Sequence, residues 1–231
     1  MSTFEGFPKG TATFLRELSK NNEKGWFEAH RSDYQASYVE PALAFVAAIG
    51  PRLQKISPSV NFEPRINGSL FRINRDVRFS KDKRPYKDHI DLWFWHGEKR
   101  GWASPGFFFR MLSGRLILGA GMHRFEKPQL DAFRDAVIDA RAGRALARTV
   151  DQVQSAGPYE VGGATRKSVP RGFDAGQERS AFLLHEGLFA TFEGEPGKVS
   201  ETARFADFCV DHFRAMWPIS RWILDEVTKP G

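Results

Sequence analysis

Between positions 72 and 89 the chain reads Arg72-Ile-Asn-Arg75-Asp76-Val-Arg78-Phe79-Ser80-Lys81-Asp82-Lys83-Arg84-Pro85-Tyr86-Lys87-Asp88-His89. Seven basic and three acidic side chains in this one segment carry +4 of the formal net charge of +6. Arg72, Arg75 and Arg78 offer planar donor forks, Lys83 and Lys87 offer point charges, and Tyr86 offers a phenolic donor. That mixture recognises phosphate or carboxylate. Arg171, in the later stretch Pro170-Arg171-Gly172-Phe173, is a further candidate for the same ligand. A second reading stands beside the first: Arg72, Asp76 and Arg78 neutralise one another and pin a loop to the fold, with no ligand involved.

Acid–base chemistry has fewer candidates. Asp76 or Asp82 could act as a general base and His89 could move a proton near neutral pH. Each also has a plainer role, Asp82 as a turn residue, Asp76 as an arginine partner and His89 as a strand-edge side chain. Neither Asp76/Asp82 nor His89-x-Asp91 has the spacing of a metal site. Gly119-Ala-Gly121 lacks the rest of a dinucleotide fingerprint and no Walker loop is present, so no metal and no cofactor is expected. Cys209 falls on the apolar stripe of a helical pattern, which reads as core rather than nucleophile.

The elements that must position these residues follow from periodicity. A helix is predicted over 11–20 with Thr11 as its cap. A second spans 23–38 with Trp26, Phe27, His30, Tyr34 and Tyr38 on one face, and a third opens at Pro41 and ends at Gly50-Pro51. Phe71, Ile73, Val77 and Phe79 alternate with polar residues, which predicts a strand, although a helix through Leu70, Ile73 and Val77 fits as well. Arg75 breaks that alternation and needs a partner if buried. Strands follow at 90–95 and 107–112, joined by Ser113-Gly114 to a third at 115–118 that Gly119-Ala-Gly121 closes. A helix from Pro128 and another over 143–155 come next. Residues 156–180 read as irregular, and 188–192 as the last strand. Ser200 then caps a helix through Phe205, Phe208, Cys209, Phe213 and Met216, and Pro218 begins a final one. Helices flanking hairpin-linked strands define an α+β fold with an antiparallel or mixed sheet, and the absence of a linker makes residues 1–231 one domain.

Length and composition bound the partners. The chain has 231 residues, 41% hydrophobic, enough for one large core. A small anionic ligand fits the compact basic stretch better than a nucleic acid does. A non-enzymatic nucleic-acid or protein-binding module ranks second, with Trp93 and Trp95, which share a strand face beside the basic loop, as the feature that favours nucleic acid. No segment approaches the roughly 18 apolar residues of a membrane span. With one cysteine and no leader pattern, the expectation is a soluble cytoplasmic protein.

Arg72-x-x-Arg75-Asp76-x-Arg78-Phe79, followed by Asp82-Lys83-x-x-Tyr86, resembles the signature of the mainly bacterial family called domain of unknown function 2461. The resemblance extends to the opening Phe4-x-Gly6-Phe7, to Asn21-Asn22 with Trp26-Phe27, to Arg78-Phe79-Ser80-x-Asp82-Lys83-x-Pro85-Tyr86-Lys87, and to Pro170-Arg171-Gly172-Phe173. It implies a full-length domain and draws attention to these residues. It implies no activity, substrate or cofactor.

Overall fold

The computed structural model describes residues 3–98, 100–101 and 104–228. The fold is α+β: a five-stranded antiparallel sheet with helices at both ends of the sequence. The strands are β1 (Ile90–Trp95), β2 (Gly106–Leu112), β3 (Arg115–Met122), β4 (Tyr159–Ala164) and β5 (His185–Gly194), in the order β1-β2-β3-β5-β4. Every residue of β1 is buried, Trp93 and Trp95 included, so those two indoles are packing groups and not a platform for bases. The β2–β3 hairpin turns on Ser113-Gly114, with Gly114 at φ +83°, a conformation glycine adopts without steric cost. β3 runs on through Gly121, because backbone pairing there tolerates a glycine at φ +131° where Leu188 O lies close.

The residues fall into two compact units. The first comprises Met1–Phe94, Phe108–Ile117 and Glu193–Asp211; the second comprises Trp95–Phe107, Leu118–Phe192 and His212–Gly231.

In the first unit, α1 (Lys9–Lys20) buries Thr11, Phe14, Leu15 and Leu18. Pro8, not Thr11, stands at its N-cap; Thr11 is one turn in and its hydroxyl donates to Ser37 O. The helix expected over 23–38 is divided. α2 (Lys24–Ala29) ends at His30, whose backbone leaves the helical region, and α3 (Arg31–Tyr34) passes through a π-helical turn at Gln35–Val39 into α4 (Glu40–Gln54). Pro41 sits in the first turn of α4 as expected, but Gly50-Pro51 does not end it. Gly50 is needed instead for contact, since the Phe62 ring occupies the space a β-carbon would take. The core is aromatic: Phe45 lies 5.1 Å from both Phe4 and Phe109 and 5.6 Å from Phe205 between ring centroids.

Residues 70–79 are neither a strand nor a helix. Leu70 bridges to Leu92 and Asn74 to Tyr86, giving an interrupted ribbon whose backbone bonds include Phe71 N–H to Asp91 O (3.0 Å) and Arg75 N–H to Pro85 O (2.8 Å). The burial alternation survives, with Ile73 inside and Arg72, Asn74, Asp76 and Arg78 outside. It stops at Phe79, which is 95% exposed, because the chain turns away from its partner at the loop tip.

In the second unit, α5 (Lys127–Ile138) opens with a capping box from Glu126 and Gln129, and α6 (Ala140–Ser155) is capped by Asp139, which accepts from Arg141 N and Ala142 N. β4 falls within the stretch read as irregular. Its two glycines and half-buried pattern hide it, and the register slips between Gly162 and Ala164. Phe107 packs 5.1 Å from Phe213, and Phe133 packs 5.9 Å from Trp222, whose indole N–H donates to Ala142 O at 3.1 Å.

The last helix, α7 (Phe205–Glu226), is continuous where two were expected: Pro218 lies inside it, and Ser200 belongs to a 3-10 turn at Lys198–Glu201. The apolar stripe persists on both sides of Pro218, with Phe213, Met216, Ile219, Trp222 and Ile223 all buried, and tertiary packing overrides the lost backbone donor.

Candidate anion site

The basic segment folds into two groups with different chemistry, both within the first unit. The loop 75–84 is an ion-pair lattice. Arg78 donates from Nε and Nη2 to the two oxygens of Asp76 (3.0 and 2.7 Å), an exposed bidentate pair. Arg84 grips Asp82 through Nε, which reaches both oxygens (3.2 Å to Oδ1, 3.0 Å to Oδ2), and Nη2 (2.8 Å to Oδ2). Arg75, the charge that needed a partner, finds one: Nη1 lies 2.8 Å from Asp82 Oδ2 and also donates to Arg84 O (2.9 Å). Lys83 closes the loop by donating from Nζ to Val77 O (3.0 Å). The Arg78 guanidinium holds the Asp76 carboxyl below the usual range, and the bonds from Arg84, then Arg75, hold Asp82 far below it. Both carboxylates are therefore engaged by arginines.

The second group centres on Asp91, a residue that sequence reading passed over except as a weak metal spacing. Its side chain, on β1, is only 7% exposed. Arg110, on β2, donates to it from Nε (2.7 Å to Oδ1) and Nη2 (3.0 Å to Oδ2). His89 Nε2 lies 3.2 Å and Lys87 Nζ 3.7 Å from the same Oδ2. The other ring nitrogen of His89 is 3.0 Å from Asp88 Oδ1, so a doubly protonated ring donates to both carboxylates and a neutral one to a single carboxylate. Burial opposes ionisation of Asp91, but the hydrogen bonds from His89 and Arg110 outweigh it and hold the carboxyl below its usual range.

Lys87 is the most loosely held of these partners. Its ammonium lies over the Phe71 ring, 4.8 Å from the centroid, with 20% of the side chain exposed. Burial pushes its pKa down, and the Arg110 and Arg72 charges push the same way against the pull of Asp91. Arg72 is exposed and makes no ion pair among the described residues. Tyr86 is buried and stacks on Phe27 at 4.1 Å, and burial raises its phenol. Arg171 belongs to the second unit, exposed on the turn closed by Phe173 N–H to Pro170 O.

Of the residues singled out from sequence, the fold thus brings Lys87, His89 and Arg72 together. It commits Arg75, Arg78 and Lys83 to the loop. Arg110, in an apolar run, had no local signal; only the pairing of its strand with β1 places it beside Asp91.

A cleft of about 400 Å³ elsewhere in the first unit is lined by Phe14, Glu17, Trp26, His30, Asp33 and Ser37 among others. It contains two carboxylates and no lysine or arginine, the wrong sign for an anion. Among the described residues, no group of three or more His, Cys, Asp or Glu side chains is arranged to hold a metal, and no helix is long and apolar enough to cross a membrane.

The chain thus has an α+β fold whose basic ribbon is fastened to its first strand by one buried carboxylate. The chain belongs to the family described as conserved hypothetical protein (DUF2461), whose pattern matches residues 10–222. No curated protein matches it.

Proposed function

We propose that the protein binds a small anion, a phosphate- or carboxylate-bearing molecule, on the face formed by Arg72, Lys87, His89 and Arg110. The observation that carries this reading is the imbalance around Asp91. One buried carboxylate is shared by three basic side chains, the loosest of them 3.7 Å away; Asp88 reaches only His89 among them, and Arg72 beside them makes no close ion pair among the described residues, feeling Asp76 only at longer range. A ligand carboxylate or phosphate supplies the missing negative charge, and Asp91 holds the donors in place before it arrives. Arg75, Arg78, Lys83 and Tyr86 serve this reading by shaping the loop. Arg171 has no assigned part in it. A single buried cysteine suits a reducing compartment, and we place the protein in the cytoplasm.

The test is thermal unfolding with phosphate, sulfate, nucleotides and dicarboxylates, on wild type and Arg72→Gln. A ligand present at about a hundred times its Kd stabilises the folded state by roughly 2.7 kcal/mol. We expect a saturable upward shift in the wild type that Arg72→Gln weakens; equal shifts in both proteins, or none, overturn the reading.

A second reading rests on Phe79, exposed at the tip of the loop with the Arg78 guanidinium 5.8 Å from its ring centroid and Lys81 and Lys83 nearby in sequence. An exposed ring among cations suits a base of single-stranded nucleic acid. The salt dependence separates the two, since an extended phosphate track releases several counter-ions and a small anion about one or two.

A further inference from the structure

Lys87 differs from the other cations of the site in what its nitrogen can do. Arginine forks can only bind, whereas a lysine nitrogen that sheds its proton is a nucleophile. Three features of the fold bear on that step. The amine is largely withdrawn from water, with 20% of its side chain exposed, which disfavours the ammonium, while the face of the Phe71 ring, 4.8 Å from the nitrogen, attracts a cation and holds the side chain in place. Its contact with Asp91 is long, 3.7 Å, because Arg110 and His89 take the closer positions at 3.0 and 3.2 Å on the same oxygen. His89, sharing that oxygen, is a group able to move protons beside the amine. Arg110 and Arg72, which lower the affinity of Lys87 for its own proton, are also the donors a substrate carboxylate needs.

We propose that Lys87 is an imine-forming lysine and that its ligand is a small carboxylate bearing a ketone or aldehyde, in the simplest case a 2-oxo acid. The proposal rests on the anion-binding reading, which supplies the grip on the carboxylate. In the step itself the Lys87 ammonium first gives a proton to a neutral His89 ring, which Asp91 holds in place at 3.2 Å. The nitrogen lone pair then forms a bond to the carbonyl carbon while the C=O π pair moves to oxygen, which takes a proton. A second proton leaves the nitrogen, the hydroxyl is protonated and departs as water, and the nitrogen lone pair closes the C=N bond. In sum, one ammonium and one carbonyl give one iminium and one water, with no oxidant or reductant consumed. The iminium is an electron sink for breaking a C–H or C–C bond next to it. Asp91 acts here as a positioning residue, holding Arg110 and Lys87 within reach of one small molecule.

The experiment is reductive trapping on the full chain. Protein is incubated with pyruvate, 2-oxoglutarate or oxaloacetate and sodium cyanoborohydride, and the adduct is located by peptide mass mapping; succinate and phosphate are followed in parallel by thermal shift. The expected result is a single adduct on Lys87, absent in a Lys87→Arg variant that retains the wild-type circular dichroism, and suppressed by excess succinate. Absence of a Lys87 adduct while succinate or phosphate still gives a saturable shift overturns the imine and leaves the anion site standing. Absence of both adduct and shift overturns both. Adducts spread over exposed lysines such as Lys24 and Lys81, with none enriched at Lys87, also overturn it.

Discussion

Asn22 holds the backbone of Tyr86 from both sides: its Nδ2 donates to Tyr86 O at 3.0 Å and its Oδ1 accepts from Tyr86 N at 3.0 Å. A side-chain amide thereby does for one residue what a neighbouring strand does for a row of them. This fixes the segment just before Lys87 and His89 to the N-terminal helices, with Phe27 stacked on the Tyr86 ring. Asn22→Ala leaves a backbone donor and acceptor without partners. It is expected to cost about 1–3 kcal/mol by urea denaturation and to weaken anion binding, while Asn22→Asp, which loses the donor, recovers only part of the loss.

Asp91→Asn keeps the shape and removes the charge that Arg110, His89 and Lys87 share. Breaking a buried pair by removing one partner costs about 3–5 kcal/mol, and we expect a loss of that order at pH 7. Because the folded Asp91 carboxyl lies below its usual range, the stability it contributes is present above about pH 4 and disappears as pH falls through the lowered value. The gap between wild type and Asp91→Asn should accordingly close in acid. A gap unchanged between pH 7 and pH 2.5 contradicts the charge argument.

Arg78→Leu is the contrasting case. Its bidentate bond with Asp76 is well formed but solvent-exposed, 76% and 47% for the two side chains, where screening and entropy cancel most of the attraction. The variant is expected to fold with a melting temperature indistinguishable from wild type. Outright unfolding would show that the loop lattice is architectural.

Cys209 is fully buried on α7, and burial pushes its thiol well above the usual value. A thiol-specific disulfide reagent at pH 8 should therefore modify the native protein only at the rate of unfolding and the denatured protein at once. Fast labelling of native protein contradicts the packing of this helix.

Gly121→Ala probes the second unit. At φ +131° a β-carbon is strained, and it would also meet Leu188 O and the Phe189 backbone. Backbone strain alone costs about 1–3 kcal/mol, so the substitution should lower the melting temperature sharply, whereas Gly114→Asn, at φ +83° with open space around it, should be tolerated.

Local periodic patterns could be read from the residues alone. Four of the five strands, the Ser113-Gly114 hairpin, the apolar faces of α1, α5 and α7 and the α+β class were all legible, because each depends on neighbours within a turn or a strand. The same holds for the pairing of Asp76 with Arg78, two residues away, whereas Asp82, read as a turn residue, turned out to be held by Arg84 and Arg75. Tertiary structure decided the rest. Pro218 and Pro51 stay inside helices because the apolar stripes continue past them and the packing outweighs a missing hydrogen bond. β4, glycine-rich and half-buried, exists only because β5 offers it an edge. The candidate site is of the same kind. Asp91 and Arg110 are 19 positions apart, on separate strands, and nothing local in either apolar run marks them as partners. The buried carboxylate acquired its three basic neighbours through strand pairing and the ribbon that precedes it, and that is where the excess of positive charge was fixed.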